Sequence, residues 1–130
     1  MDDVRARWLR PDDGKLQTPI AHLVCNFADG VDGKPPLLTH DDVTTLFHEF
    51  GHAIHGLNAN ATYPSVSGTA VARDYVEFPS QLNEHWLPTP QVLSKFCVHY
   101  KTGEPIPQAL VDKIKAAGHN LVFRAIEVDD

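Results

Sequence analysis

The apolar residues between Val43 and Leu57 recur at the three- and four-residue spacing of an amphipathic helix. Thr39 and Asp42 resemble a capping box, so this helix is predicted to begin near residue 40, and Gly56 is a residue that can end it. We expect the apolar face to lie in a core and the opposite face to line a cleft. The apolar positions are Val43, Leu46, Phe47, Phe50, Ile54 and Leu57.

The remaining pattern predicts three more helices and one strand. Residues 73–86 form a second predicted helix, in which Pro79 should produce a kink or mark the first turn. Further helices are predicted over residues 89–100 and 107–118. Residues 20–27 are the best strand candidate because they are rich in apolar side chains and precede two Asp-Gly turns. The fold class is therefore mainly α, with a short β-strand or hairpin near the N-terminus.

Composition narrows the class of protein. The 130 residues are 42% apolar and 22% charged, which is typical of one modest globular domain spanning 1–130. A net charge of −6 without a cluster of lysines or arginines argues against nucleic acid as a partner. The apolar runs are too short to span a membrane. The only two cysteines, Cys25 and Cys97, lack metal-site spacing and are expected to be reduced thiols of a cytoplasmic protein.

Residues 48–52 carry the motif H-E-x-x-H on the first predicted helix. One helical turn separates His48 from His52, so both imidazoles leave the same face and can bind one zinc ion. Glu49 lies beside that face, where a general base could reach a water molecule on the metal. Gly51 inside the helix lowers helix propensity and predicts close approach by a neighbouring element.

A catalytic zinc usually takes three protein ligands, so a third must come from elsewhere in the chain. Glu77 follows His52 by 25 residues, enough for a loop and a second helix packed antiparallel to the first. Asp74 lies three residues before Glu77 on the same helix face, so one of them can bind metal while the other supports an imidazole. Spacing alone leaves four rivals to Glu77, namely Asp74, Glu84, His85 and Cys25.

Several neighbouring positions are candidates for supporting or substrate-contacting roles. His55 follows His48 by about two helical turns and shares its face, either near the metal or against a peptide. Tyr63 is a candidate substrate contact, the alternative being an ordinary surface tyrosine, and Gly68 is a candidate hinge. The strand at residues 20–27 could align a peptide substrate through backbone hydrogen bonds, the alternative being a buried structural hairpin.

Residues 46–55 spell LFHEFGHAIH and residues 73–81 spell RDYVEFPSQ, and residues 16–27 and 36–42 fit the same pattern. Together these stretches resemble the thimet oligopeptidase family of zinc metallopeptidases. Residues 67–69 and 83–86 are most similar to its bacterial peptidyl-dipeptidase branch. The resemblance implies that His48, His52 and Glu77 bind one zinc ion per chain and that Glu49 is the general base.

The resemblance also implies an activity and an architecture. Members of that family hydrolyse peptide bonds in short peptides with metal-activated water, as oligopeptidases or peptidyl-dipeptidases. They are almost wholly helical and several times longer than this chain, which is expected to be a partial domain from a zincin-like catalytic core. Activity is therefore expected to need the missing parts of the enzyme. The alternative is a truncated, catalytically inactive zinc-binding module.

Overall fold

The computed structural model describes residues 2–9, 13–33 and 35–126. Its helices are α1 His40–Asn58, α2 Arg73–Glu84, α3 Pro90–Phe96 and α4 Gln108–Ile126, with a short 3₁₀ helix at Pro64–Val66; its strands are β1 Asp2–Arg5, β2 Trp8–Leu9, β3 Leu16–Gln17 and β4 Ile20–His22. The prediction of a mainly α fold with short strands near the N-terminus is confirmed. The chain groups into two compact units, residues 1–87 and residues 88–130.

The strands form two antiparallel pairs, β1 with β4 and β2 with β3. The predicted strand over residues 20–27 is too long, because β4 pairs only as far as His22, which faces Asp2 of β1. The sequence pattern did not predict β1 or β2, since their residues lack an apolar alternation. Side chains reinforce the first pair, as the Arg5 guanidinium donates to the Thr18 carbonyl over 2.9 Å.

Helix α1 begins with the predicted capping box. The Asp42 N–H donates to the Thr39 hydroxyl oxygen over 3.1 Å, and the Thr39 N–H donates to the Asp42 carboxylate over 2.8 Å. These bonds satisfy backbone donors that a helix start leaves without intrahelical partners. Gly56 does not end the helix, which continues to Asn58, and the Ala59 N–H then donates to the Gly56 carbonyl.

Helix α2 packs against α1 in the antiparallel direction, as the sequence predicts. The Asn83 amide donates to the Phe47 carbonyl over 2.7 Å, and further along α1 His52 contacts Glu77, which lies earlier on α2. The close approach expected at Gly51 is also present, because a Cβ atom there would lie 2.6 Å from the Cα of Ser80. Gly51 therefore sets the distance between the two helices.

Pro79 lies inside α2 rather than in its first turn, and the helix continues beyond it to Glu84. The proline ring has no N–H to donate, so the carbonyl four residues earlier loses its usual intrahelical partner. The predicted end at residue 86 is two residues too late. His85 instead forms the C-cap, and its N–H donates to the Leu82 carbonyl.

The buried side of α1 differs from the predicted apolar face. The buried residues are Gly51, His52 and Ala53, whereas Phe50 is 51% exposed and Ile54 is 38% exposed. Helix α2 packs on the side of Gly51, because only a residue without a side chain lets another helix approach so closely. Within the described part of the chain, the first three positions of the predicted apolar face are therefore half-buried and the last three are exposed.

The second unit contains α3 and α4, and both predicted ends there require correction. Helix α3 stops at Phe96, and Val98 then forms a β-bridge with Pro105 around a turn in which Gly103 has φ +71°. Helix α4 continues through Gly118 to Ile126. A glycine inside a helix costs about 1 kcal/mol relative to alanine, which the neighbouring helical residues can offset.

Candidate metal centre

Three side chains from α1 and α2 converge at the helix interface. Nε2 of His48 and Nε2 of His52 each lie 3.1 Å from Oε2 of Glu77. One candidate ligand atom from each of the three residues lies within 4.8 Å of the others. The two imidazoles leave the same side of α1 because four helical positions separate them. Their ring centroids are 4.9 Å apart and their planes cross at 82°.

The dimensions of this cluster suit a divalent metal ion. Nitrogen and oxygen ligands lie about 2.1 Å from zinc, which places the ligands of a tetrahedral site about 3.4 Å apart. The observed 3.1 Å separations between the Glu77 oxygen and each ring nitrogen are close to that value. Two imidazoles and one carboxylate are also a donor set that zinc accepts. All three ligand atoms lie within 4.8 Å of one another, so one ion can lie between them.

Two of the three side chains, His48 and Glu77, have a hydrogen-bond partner on α2, whereas Nδ1 of His52 is buried without one among the described residues. The carboxylate of Glu84 lies 2.6 Å from Nδ1 of His48 and accepts a hydrogen bond from the N–H group at that nitrogen, which leaves Nε2 directed at the cluster. The hydroxyl of Ser80 donates to Oε2 of Glu77 over 2.9 Å. Residues 77, 80 and 84 share one face of α2 because they are spaced three and four positions apart.

The surroundings of Glu77 favour its charged form. The Ser80 hydrogen bond is the largest cause that holds the pKa of the Glu77 carboxyl below its ordinary value. Partial burial opposes this lowering of the pKa, whereas His52 and His48 add to it electrostatically. A deprotonated carboxylate is the form that binds a metal ion, so the pKa shift suits a ligand role for Glu77.

The four rival candidates either lie outside the cluster or contact it differently from Glu77. Asp74 is exposed and lies outside the cluster, and Cys25 is not part of it either. Nδ1 of His85 is 2.9 Å from the Gln81 carbonyl within its own helix. Glu84 contacts the far nitrogen of His48 rather than the nitrogen that faces Glu77. Glu84 is thus the α2 carboxylate that contacts the outer nitrogen of an imidazole, and a supporting role for Asp74 stays a prediction.

The other candidate residues lie on α1 or in the loop between α1 and α2. Glu49 is half-buried on α1 beside His48. The His55 ring faces Tyr75, with 6.2 Å between ring centroids, and its Nδ1 is buried. Tyr63 is 69% exposed, and Gly68 has φ +59°; both lie in the loop between the two helices. Their roles toward substrate stay predictions.

Sequence reasoning missed the contribution of two residues to this cluster. Ser80 is absent from the residues that the sequence singles out, and Glu84 appears there only as a rival metal ligand, whereas in the structure it contacts an imidazole of the cluster. Both residues lie at helical spacings from Glu77 that place them on the same face of α2. That spacing identifies a shared face, but it does not identify which side chain of α1 lies opposite each position.

Comparison with known proteins agrees with this geometry. The sequence pattern of peptidase family M3 matches residues 1–129. This chain belongs to that family. Residues 48–52 and Glu77, the parts of the chain that form the cluster, lie inside the matched segment. The family resemblance expected from the sequence is confirmed.

Named relatives extend the comparison. The chain is 49% identical to oligopeptidase A of Escherichia coli (strain K12) over 118 residues, which are 90% of this chain and 17% of that protein. It is 50% identical to dipeptidyl carboxypeptidase of the same organism over 99 residues, 76% of this chain and 14% of that protein. A thimet-like oligopeptidase of Dictyostelium discoideum is 46% identical over 107 residues, 81% of this chain and 16% of that protein.

These values place the chain within a family of peptidases. The oligopeptidase and dipeptidyl carboxypeptidase relatives match at nearly the same identity, so identity does not separate the two specificities. The chain spans about a sixth of the length of these relatives. None of the helices in the described part of the chain is long and apolar enough to cross a membrane.

Proposed function

We propose that this chain carries the zinc-binding core of a metallopeptidase that hydrolyses peptide bonds in short peptides. The observation that supports the proposal most directly is the convergence of His48, His52 and Glu77 within 4.8 Å on two packed helices. Three protein ligands that leave a further coordination position open are typical of catalytic zinc sites rather than structural ones. The family and the names of the relatives support the same class of reaction.

In this proposal each side chain has a distinct task. Zinc, when bound by His48, His52 and Glu77, supplies Lewis acidity that lowers the pKa of water and polarises the scissile carbonyl. Glu49 accepts a proton from the attacking water and delivers it to the leaving amine. Glu84 accepts a hydrogen bond from the Nδ1–H group of His48, which keeps the ring proton on Nδ1 and leaves Nε2 free to bind the metal.

The short strand β4 is the proposed place for substrate alignment. It pairs with β1 along one edge and contacts α1, the helix that carries both histidines. An extended peptide can add to a strand edge through backbone hydrogen bonds, which recognise main chain rather than side chains. This mode of binding suits an enzyme that accepts short peptides of varied sequence. Tyr63 and His55 are proposed as side-chain contacts to such a peptide.

The proposal is tested by measuring zinc content and peptide hydrolysis in the same protein preparation. The protein is expected to bind one zinc ion per chain and, within an enzyme of the length of its relatives, to cleave an unstructured peptide. A chelator should remove the activity, and added zinc should restore it. Because Glu49 is proposed as a base and not as a ligand, Glu49→Gln should abolish cleavage while zinc content stays at one per chain.

The matched variant His52→Ala removes a proposed ligand from the same helix. It is expected to bind zinc much more weakly than the wild type, with fewer than one ion per chain, and to lose cleavage, in contrast to Glu49→Gln. A wild-type protein that holds no zinc would contradict the metal assignment. Zinc binding without cleavage, in the wild type and in Glu49→Gln alike, would instead support the non-catalytic zinc-binding module.

A further inference from the structure

The three side chains of the cluster are held in place by different means. His52 is held by packing, since only 11% of its side chain is exposed, and His48 is held by the carboxylate of Glu84. The Glu77 side chain is 46% exposed, so packing leaves it room to rotate. A glutamate side chain has several staggered rotamers available when its surroundings do not select one. The direction of the Glu77 carboxylate therefore depends on a specific contact.

Ser80 provides that contact. Its hydroxyl lies 2.9 Å from Oε2 of Glu77, the same oxygen that faces both imidazoles at 3.1 Å. The hydroxyl also lies 2.8 Å from the Glu77 backbone carbonyl, so its single proton is shared between two acceptors of the same residue, and the hydroxyl stays beside the main chain of Glu77. Ser80 is 0% exposed, and water does not reach the hydroxyl to compete for this hydrogen bond.

We propose that Ser80 is a positioning residue of the metal centre, which directs the Glu77 carboxylate toward His48 and His52; this inference rests on the proposed zinc site. The hydroxyl donates to a charged acceptor, and such bonds are stronger than those between neutral groups. Without the hydroxyl, the half-exposed carboxylate can turn toward solvent. The metal would then lose part of its third ligand while both imidazoles stay in place.

The packing around Ser80 explains why a small residue with a hydroxyl occupies this position. The Ser80 backbone lies against Gly51, where an added Cβ would come within 2.6 Å of the Ser80 Cα. A larger side chain at position 80 would have to fit into a space from which solvent is already excluded. Serine therefore meets two requirements, a close helix crossing and a hydroxyl donor beside Glu77. Threonine keeps the donor but adds a methyl group to the closed space.

The test compares zinc affinity, measured by competition with a chelator, in the full chain and in serine variants. Ser80→Ala is expected to weaken zinc binding by about 10–100-fold, the usual effect of removing a group that orients a metal ligand. The control Ser67→Ala removes the hydroxyl of another buried serine, outside α1 and α2, and should leave the affinity unchanged. Cobalt(II) bound to Ser80→Ala should also give a visible absorption spectrum different from that of cobalt(II) in the wild type.

A second comparison separates positioning of Glu77 from a general effect on helix packing. In a Glu77→Ala background, where two imidazoles still bind metal, the added Ser80→Ala change should leave zinc affinity unaltered. An equal loss of affinity in both backgrounds would overturn the proposal, because Ser80 would then act through packing. Unchanged affinity in Ser80→Ala alone would also overturn it. If the wild type binds no zinc, the proposed function fails first, so the two failures are distinguishable.

Discussion

Nδ1 of His48 lies 2.6 Å from Oε1 of Glu84, a residue 36 positions further along the chain on the facing helix. This contact joins α1 to α2 through a ring whose other nitrogen faces Glu77. A carboxylate that accepts a hydrogen bond from one imidazole N–H group fixes the tautomer of the ring and raises the basicity of the other nitrogen. The pair therefore links the packing of two helices to the electronic state of a proposed metal ligand.

Replacing Glu84 should consequently reduce the free energy of zinc binding more than it reduces the free energy of unfolding. We expect Glu84→Ala to lower zinc affinity by about 10–100-fold, because the His48 ring loses the group that orients it. Glu84→Gln should have a smaller effect, since its amide oxygen can still accept the Nδ1 proton without carrying a charge. Chelator competition measures both affinities.

Glu104→Gln is the matched control for the loss of a glutamate charge, because Glu104 lies in the second unit and its carboxylate contacts Thr102. It should bind zinc as the wild type does. If Glu84→Ala bound zinc with the affinity of the wild type, the His48 ring would be held by other contacts.

The sequence allows the cluster to be predicted only in part. His48 and His52 lie on one helix, so their convergence follows from a local period, and the capping box at Thr39 locates the start of that helix. Glu77 lies on another helix, and spacing alone left it with rivals until the resemblance to a family separated them. The contacts of Ser80 and Glu84 depend on the register between α1 and α2, which local periodicity does not contain.

The strands and the apolar face of α1 were harder to predict for a related reason. Strand β1 pairs with β4 across a separation of many residues, and its own sequence has no apolar alternation. Helix α2 packs against α1 at Gly51, whose lack of a side chain admits it, whereas Phe50 and Ile54 of the apolar stripe are exposed. The contact between the two helices therefore forms at the residue without a side chain and not along the apolar stripe.

Gly51→Ala should disrupt both the fold and the metal centre. The new Cβ would lie 2.6 Å from the Ser80 Cα and 2.8 Å from the Pro79 carbonyl oxygen, so the backbones of α1 and α2 must separate. Overpacking of this kind lowers the free energy of unfolding by about 1–3 kcal/mol, despite the better helix propensity of alanine. Thermal unfolding measures the loss, and zinc affinity should fall with it because Glu77 moves away from both imidazoles.

Thr45→Ala provides the comparison for Gly51→Ala, since Thr45 is an exposed position on the same helix. Its zinc affinity should match that of the wild type, and its unfolding temperature should be equal or higher because alanine has the better helix propensity. Unchanged stability in Gly51→Ala would mean that the helices can separate without loss, and Gly51 would then not set their spacing.

The capping box at the start of α1 should make stability depend on pH in the acid range. Hydrogen bonds from the Thr39 backbone and hydroxyl hold the pKa of Asp42 below its ordinary value. Because this pKa is lowered in the folded state, its contribution to stability is complete above the ordinary aspartate pKa of about 3.9. The contribution is lost as pH falls from there through the lowered pKa. Thermal unfolding between about pH 6 and pH 2 should therefore show less loss of stability in Asp42→Asn than in the wild type.

Asp41 offers a close control, because it lies in the same first turn of α1 but its carboxylate is fully exposed and makes no capping bond. Both aspartates face the positive end of the helix dipole, so a change common to Asp41→Asn and Asp42→Asn reports that dipole alone. The capping box predicts an additional change in Asp42→Asn, and NMR titration of the Asp42 carboxyl should give a pKa that rises in Thr39→Ala. Identical acid profiles for the two asparagine variants would show that the bonds from Thr39 add nothing to the effect of the dipole.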